Sequence, residues 1–175
     1  MKTITKLYQA YLHDSEYIKI TEDIISNDTI QKMNQFLHHI NVTCLEHSIG
    51  VSYYCYCICK YLRWDYISVA RAGLMHDLFL YDWILCRKSK SLPLHGFQHP
   101  KTALKNAVRH FQLNALEKDI ILSHMWPVSF SFPKYKETWI IVAVDKYCCL
   151  IEIFRSLKEK SKKSRENNWY VQHID

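Results

Sequence analysis

At 175 residues, 49% of them hydrophobic, the chain is long enough to bury a substantial core and falls in the size range of one domain. Three glycines and four prolines are too few for the repeated tight turns of a sandwich or barrel of short strands, so the composition points to helices. A formal charge of +6 suits phosphorylated ligands and equally an ordinary surface; with no motif or regular basic stripe beside it, no nucleic-acid partner is expected.

The seven cysteines include no Cys-x-x-Cys pair, and Cys55, Cys57, Cys59, Cys148 and Cys149 sit in aromatic or apolar runs where a thiol behaves as a small hydrophobe. Free core thiols imply a reducing compartment, and the first eight residues do not form an apolar secretory segment, so a cytoplasmic location is expected. The longest nearly uncharged apolar stretch, Thr138 to Val144, falls far short of the ~20 residues of a spanning helix, and no membrane partner is expected.

In chain order, Asn27 or Asp28 is placed to cap a helix reaching about Ile40. Thr43 and Glu46 form a Thr-x-x-Glu capping box that opens a second helix through about Leu62, with His47 in its first turns. Asp65 caps a third, whose apolar positions Ile67, Ala70, Leu74 and Leu78 follow a three-to-four spacing and which carries His76 and Asp77 near its end. Tyr81 to Gln98 reads as a long connection. Pro100 at a first helical position starts a fourth helix to about Phe111, and Asn114 with Glu117 boxes a fifth that carries His124. From about Lys134 the chain is helical through Leu157, and the polar residues from 158 onward read as a solvated helix or frayed tail.

Certain polar residues do not fit their surroundings. Asp145 lies in the run Trp139-Ile-Ile-Val-Ala-Val-Asp-Lys-Tyr, where an unpaired buried carboxylate would cost several kcal/mol. A solvent-facing position, a salt bridge and a metal all relieve that cost, and composition does not separate them. His76-Asp77 interrupts Ala72-Gly-Leu-Met and Leu78-Phe-Leu, placing two good divalent-metal ligands side by side among apolar residues. A single such His is more often a hydrogen-bonded core residue than a ligand, but His47, His99 and His124 add three more at helix ends. Six side chains exceed one four-coordinate site, and two ions sharing a carboxylate is the simpler arrangement if all take part.

The order His47, then His76-Asp77, then Asp145, with Gly73-Leu-Met-His-Asp-Leu around the central pair, resembles the HD-domain superfamily of metal-dependent phosphohydrolases over roughly Leu45 to Glu152. His99 and His124 fall where binuclear members carry two further histidines. No Gly-Tyr-Pro follows the central pair, unlike the branch that acts on cyclic dinucleotides; a looser likeness is to the small hydrolases of symmetrical dinucleoside polyphosphates.

The resemblance implies an all-α HD-domain helical bundle, a single domain over residues 1–175 with its motif-bearing core at about 43–157. It implies one ion on His47, His76, Asp77 and Asp145 and a second on His99, His124 and the other oxygen of Asp77, which bridges. Imidazole and carboxylate without thiolate suit iron first and manganese second, and admit zinc, cobalt or nickel. The expected activity is metal-dependent hydrolysis of a phosphate ester or anhydride, in a nucleotide or dinucleoside polyphosphate, by a metal-held hydroxide. Lys146, roughly 100° around its helix from Asp145, is a candidate phosphate contact or a surface lysine. Asp82 is a candidate proton donor, and Arg71 either edges the cleft or forms a salt bridge. His38, His39, His95 and His110 read as surface or hydrogen-bonded, with His95 close enough to His99 to touch a phosphate; Trp126 and Trp139 stack on a base or pack as core. A di-iron oxygenase on the same scaffold and a non-catalytic module sensing nucleotide or metal are the alternatives.

Overall fold

The computed structural model describes residues 10–39, 41–83, 85 and 95–172. Most of the connection expected over Tyr81 to Gln98 and the side chains of His39 and His95 lie outside the described residues. The architecture is all-helical: α1 (Ser15–Ile25), α2 (Asp28–Gln31), α3 (Cys44–Tyr61), α4 (Tyr66–Met75), α5 (His95–His110), α6 (Ala115–Ser123) and α7 (Lys136–Gln172). A two-stranded antiparallel hairpin, β1 (Leu37–His39) and β2 (Val42–Thr43), precedes α3.

The capping signals lie where the sequence placed them. Asn114 and Glu117 exchange backbone and side-chain bonds of 2.8 Å at the start of α6, Thr43 and Glu46 do the same at 2.8 and 3.1 Å for α3, and Asp65 accepts from the Ser68 amide. Arg63, at φ 56°, supplies the left-handed residue that ends α3 where glycine is more usual.

Two boundaries differ from expectation. The helix expected from Asn27 to Ile40 stops at Gln31 and runs through a 3-10 turn, Lys32–Gln35, into β1. The Cys44 amide donates to the Phe36 carbonyl at 2.9 Å, so the chain doubles back to open α3 instead of coiling on. Helix α5 begins at His95, which places Pro100 inside the helix and His99 one turn in; proline lacks the N–H that would reach the Gly96 carbonyl, and the helix accepts one missing bond near its start. Helix α7 runs on past Leu157 to Gln172, the helical one of the two alternatives for the residues from 158 onward. Ile67 turns outward, at 47% exposure, while Ala70, Leu74 and Leu78 are fully buried.

Helices α3 and α4 cross at small residues. A Cβ on Gly73 would lie 2.7 Å from Ser52 Cα, and the Ser52 hydroxyl bonds both the Ala70 carbonyl and Tyr17. Buried Asp119 on α6 accepts from the Lys134 amide and the Thr138 hydroxyl, fixing the start of α7 against α6. Leu74, Met75, Leu78, Ile120 and Ile141 form a core shared by α4, α6, α7 and the turn after α4. Among the described residues no helix is long and apolar enough to cross a membrane.

Candidate metal centre

His47 enters from the first turn of α3, His76 is the residue that ends α4, and Asp77 follows in the turn. His99 comes from α5, His124 caps the end of α6, and Asp145 lies in α7. All six are at most 5% exposed, so whatever they do is done away from bulk water.

Their hydrogen bonds fix which ring nitrogens face inward. His76 Nδ1 lies 2.8 Å from the Gly73 carbonyl and His124 Nδ1 2.9 Å from the Ile121 carbonyl; carbonyls only accept, so both nitrogens donate. His47 Nδ1 donates in the same way to Glu152 Oε1 at 2.9 Å. In the neutral imidazoles the opposite nitrogen, Nε2, is then a lone pair, and all three point at carboxylates.

His47 Nε2 is 3.1 Å and His76 Nε2 3.7 Å from Asp145 Oδ1. Asp77 Oδ2 lies 3.6 Å from His76 Nε2, and Asp77 Oδ1 lies 3.3 and 3.6 Å from His99 and His124. His99 and His124 meet Nε2 to Nε2 at 2.9 Å. His76 Nε2 and Asp77 Oδ1 are buried with no aligned hydrogen-bond partner. Acceptors facing acceptors in a dry site repel unless a cation lies among them. Donors bound at about 2.1 Å to one ion sit about 3.0 to 3.5 Å apart, so these spacings suit a shared divalent cation. Two overlapping triads, His47 with His76 and Asp145, and His76 with Asp77 and His124, have donor atoms close enough to hold one.

Two of the imidazoles hold their protons more tightly than usual. Burial opposes charge on His47, yet its bonds to Asp145 and Glu152 prevail and lift the imidazole to about 9. His76 is likewise raised, its desolvation outweighed by Asp77 and Asp145. His124 is pulled down to about 4 by burial, which leaves it a neutral acceptor. Burial works against ionising Asp77 and Asp145, but the surrounding imidazoles hold both well below the usual carboxylate range.

The remaining sequence candidates are tied to specific partners. Lys146 Nζ donates to the His124 carbonyl at 3.2 Å and to the Val142 carbonyl at 3.4 Å, which sets its charge beside the end of α6. Arg71 bonds Asp23, Glu117 and the Ile20 carbonyl, the salt-bridge alternative of the sequence. Exposed Asp82 accepts from the Leu85 amide. Trp126, Trp139 and Phe132 pack edge to face on one another.

Two residues of the centre escaped sequence reasoning. Glu152 is seven residues from Asp145, hence on the same face of α7, and that spacing was the available signal. His38, on β1, stacks on His47 and reaches both Asp77 and Glu152. Nothing in its local sequence marks it. Compared with known protein families, with curated proteins and with solved structures, the chain matches none.

Proposed function

We propose that this chain is an HD-type metal-dependent phosphohydrolase acting on a phosphate ester or anhydride, in a nucleotide or dinucleoside polyphosphate. The observation that carries the reading is the buried convergence of imidazole nitrogens and carboxylate oxygens from α3, α4 and the turn after it, α5, α6 and α7, with His76 Nε2 and Asp77 Oδ1 lacking an aligned hydrogen-bond partner.

His47, His76 and Asp145, with Asp77, would hold one divalent ion; His99 and His124, with the other oxygen of Asp77, would hold a second. The two faces of Asp77 support that division, since Oδ1 meets His99 and His124 while Oδ2 meets His76. Bound there, such cations make water acidic enough to supply hydroxide at neutral pH and offset the charge of a phosphoryl group. Iron is favoured and manganese is the second choice, because the set mixes imidazole and carboxylate without thiolate.

The protein's own contribution is orientation and exclusion of water. Glu152 and the Gly73 and Ile121 carbonyls hold His47, His76 and His124 by Nδ1, so that each Nε2 is aimed before any ligand arrives. Lys146 adds fixed positive charge at the His124 carbonyl and favours an anionic substrate at that end of the centre.

The test is phosphate release from a panel of nucleotides and dinucleoside polyphosphates by manganese-loaded protein under strict anaerobiosis. Turnover that persists without oxygen, and that is lost in His124→Ala but kept in His110→Ala, supports the hydrolase. Substrate loss only with ferrous iron and oxygen would establish an oxygenase instead, and a metal-loaded protein silent on the whole panel would leave a binding module.

A further inference from the structure

His38 and Glu152 extend the centre beyond the six residues expected of it. Glu152 is 5% exposed and its two oxygens are divided between two imidazoles. Oε1 accepts from His47 Nδ1 at 2.9 Å, and Oε2 lies 3.4 Å from His38 Nδ1. The two rings hang from that carboxylate in parallel, 3.7 Å apart and 16° from coplanar orientation. The far nitrogen of each then meets a different carboxylate, His47 Nε2 at Asp145 Oδ1 (3.1 Å) and His38 Nε2 at Asp77 Oδ2 (3.2 Å).

We propose that His38 is a positioning residue of the metal centre, which through its bond to Asp77 Oδ2 and its clamp on Glu152 sets the orientation of the central carboxylate from the β1–β2 hairpin. The inference rests on the metal reading above and adds to it a residue outside the expected ligand set.

The stacking separates positioning from ligation at His47's ion. A metal lies close to the plane of the imidazole that binds it, and two stacked rings have planes that do not meet at a bonding distance. His38 and His47 with Cys149 bring donor atoms near one another, but the parallel rings do not aim at a common point. His38 instead presents an N–H edge to Asp77, whose other oxygen is turned to His99 and His124. An oxygen that accepts this bond keeps a lone pair for a cation, so the contact orients Asp77 without occupying it.

The hairpin explains why the chain departs from the expected helix here. Continued helix beyond Gln31 would not turn the backbone at Phe36, where the Cys44 amide is bound. With β1 paired to β2, His38 is carried into the space between Asp77 and Glu152, and the strand end is held where α3 begins.

Cobalt(II) titration of the full-length protein tests this, read by visible absorption and by counting bound ions, with wild type, His38→Ala and His38→Gln compared. His38→Ala should weaken cobalt binding by about 10- to 100-fold and alter the absorption bands without changing the number of ions. His38→Gln, whose amide can still donate to Asp77, should recover most of the affinity; a purely space-filling role would not discriminate in this way. Loss of one ion from both variants would make His38 a ligand and overturn the positioning role. Binding and spectrum unchanged in His38→Ala would overturn it as well, while leaving the metal reading intact. A wild type that takes up no cobalt would overturn the metal reading itself, and this inference with it. Should His38→Ala fail to fold, His38→Phe, which keeps a ring stacked on His47 but has no N–H for Asp77, is expected to show the same weakening and spectral change, and wild-type affinity and spectrum there overturn the proposal.

Discussion

Asp77 is where the charges of the centre are most concentrated: three ring nitrogens, from His38, His99 and His124, and a fourth from His76, lie within 3.6 Å of its two oxygens. Removing that carboxylate takes the negative charge from the middle of these rings in a buried space, where unbalanced charge is strongly disfavoured. Asp77→Ala should therefore abolish retention of metal through purification and lower the melting temperature of the metal-loaded sample, and unchanged metal content by elemental analysis would remove Asp77 from the ligand set. The pH dependence follows from neighbouring groups. His47 has its folded value raised to about 9, so in the metal-free protein its stabilising contribution is complete below its unfolded value near 6.5 and is lost as pH rises towards 9. His124 runs the other way, lowered to about 4, its contribution present above about 6.5 and lost on acidification. Glu152, held near 2 by His38 and His47 against its own burial, adds a contribution present above about 4.5 that disappears only below that range. Between pH 6.5 and 9 a bound metal must displace the His47 proton, so metal affinity should rise by about tenfold per pH unit for each proton released, even as the metal-free fold weakens. Chelator competition at several pH values measures the first trend and denaturant unfolding of chelated protein the second; flat profiles in both would mean that His47 carries no proton in the metal-free centre.

At the scale of elements, the crossing of α3 and α4 controls the centre from a distance. Gly73 touches Ser52 through backbone, and its carbonyl also holds His76 Nδ1, so the same residue sets helix separation and the orientation of the His76 ring. Gly73→Ala should cost about 1 to 3 kcal/mol of stability through overpacking and should weaken metal binding as His76 shifts. Gly96→Ala is the matched control, since its added Cβ would meet only the side-chain ends of Val128 and Met125, at 3.1 and 3.4 Å. Equal melting temperatures for the two variants would show that the crossing is not tight. The sequence made α3, α4 and α6 readable because each begins with an Asp, Thr or Asn cap whose partner lies three residues on, a signal confined to one turn of chain. The polar candidates were readable for a similar reason: His76-Asp77 and Asp145 sit in runs that otherwise bury apolar surface. The hairpin was not readable, because Phe36 to Asn41 has no glycine turn and its path is set by contacts between His38 and Glu152 that span 114 residues. The start of α5 was also obscured, since Pro100 imitates a first helical residue although the helix begins a turn and more before it.

Across the whole molecule, the centre ties together parts of the chain that are far apart in sequence. His47 and Asp145 are 98 residues apart, His99 and His124 are 25 apart, and the four elements that carry them also share the apolar core. Metal that binds the folded arrangement and not the unfolded chain stabilises the fold by mass action, by about 2.7 kcal/mol at a hundredfold excess over its dissociation constant. For a chain of this size that corresponds to a rise of roughly 5 to 11 °C in melting temperature. The gain should vanish in His76→Ala, whose ring is shared by the two triads proposed to hold metal, and should be only partly lost in His124→Ala, which belongs to one of them. His110, exposed on α5, with a 3.5 Å contact to Thr29 and its ring beside Phe111, supplies the neutral comparison. Differential scanning calorimetry with and without manganese on these three variants and the wild type makes the comparison. If His124→Ala loses the whole gain, the two triads act as one inseparable unit; if it loses none while His76→Ala loses all, the stabilising ion sits on His47, His76 and Asp145 alone. Equal gains in all four proteins would place the metal outside both triads that contain His76, either on His38, His47 and Cys149 or away from this centre.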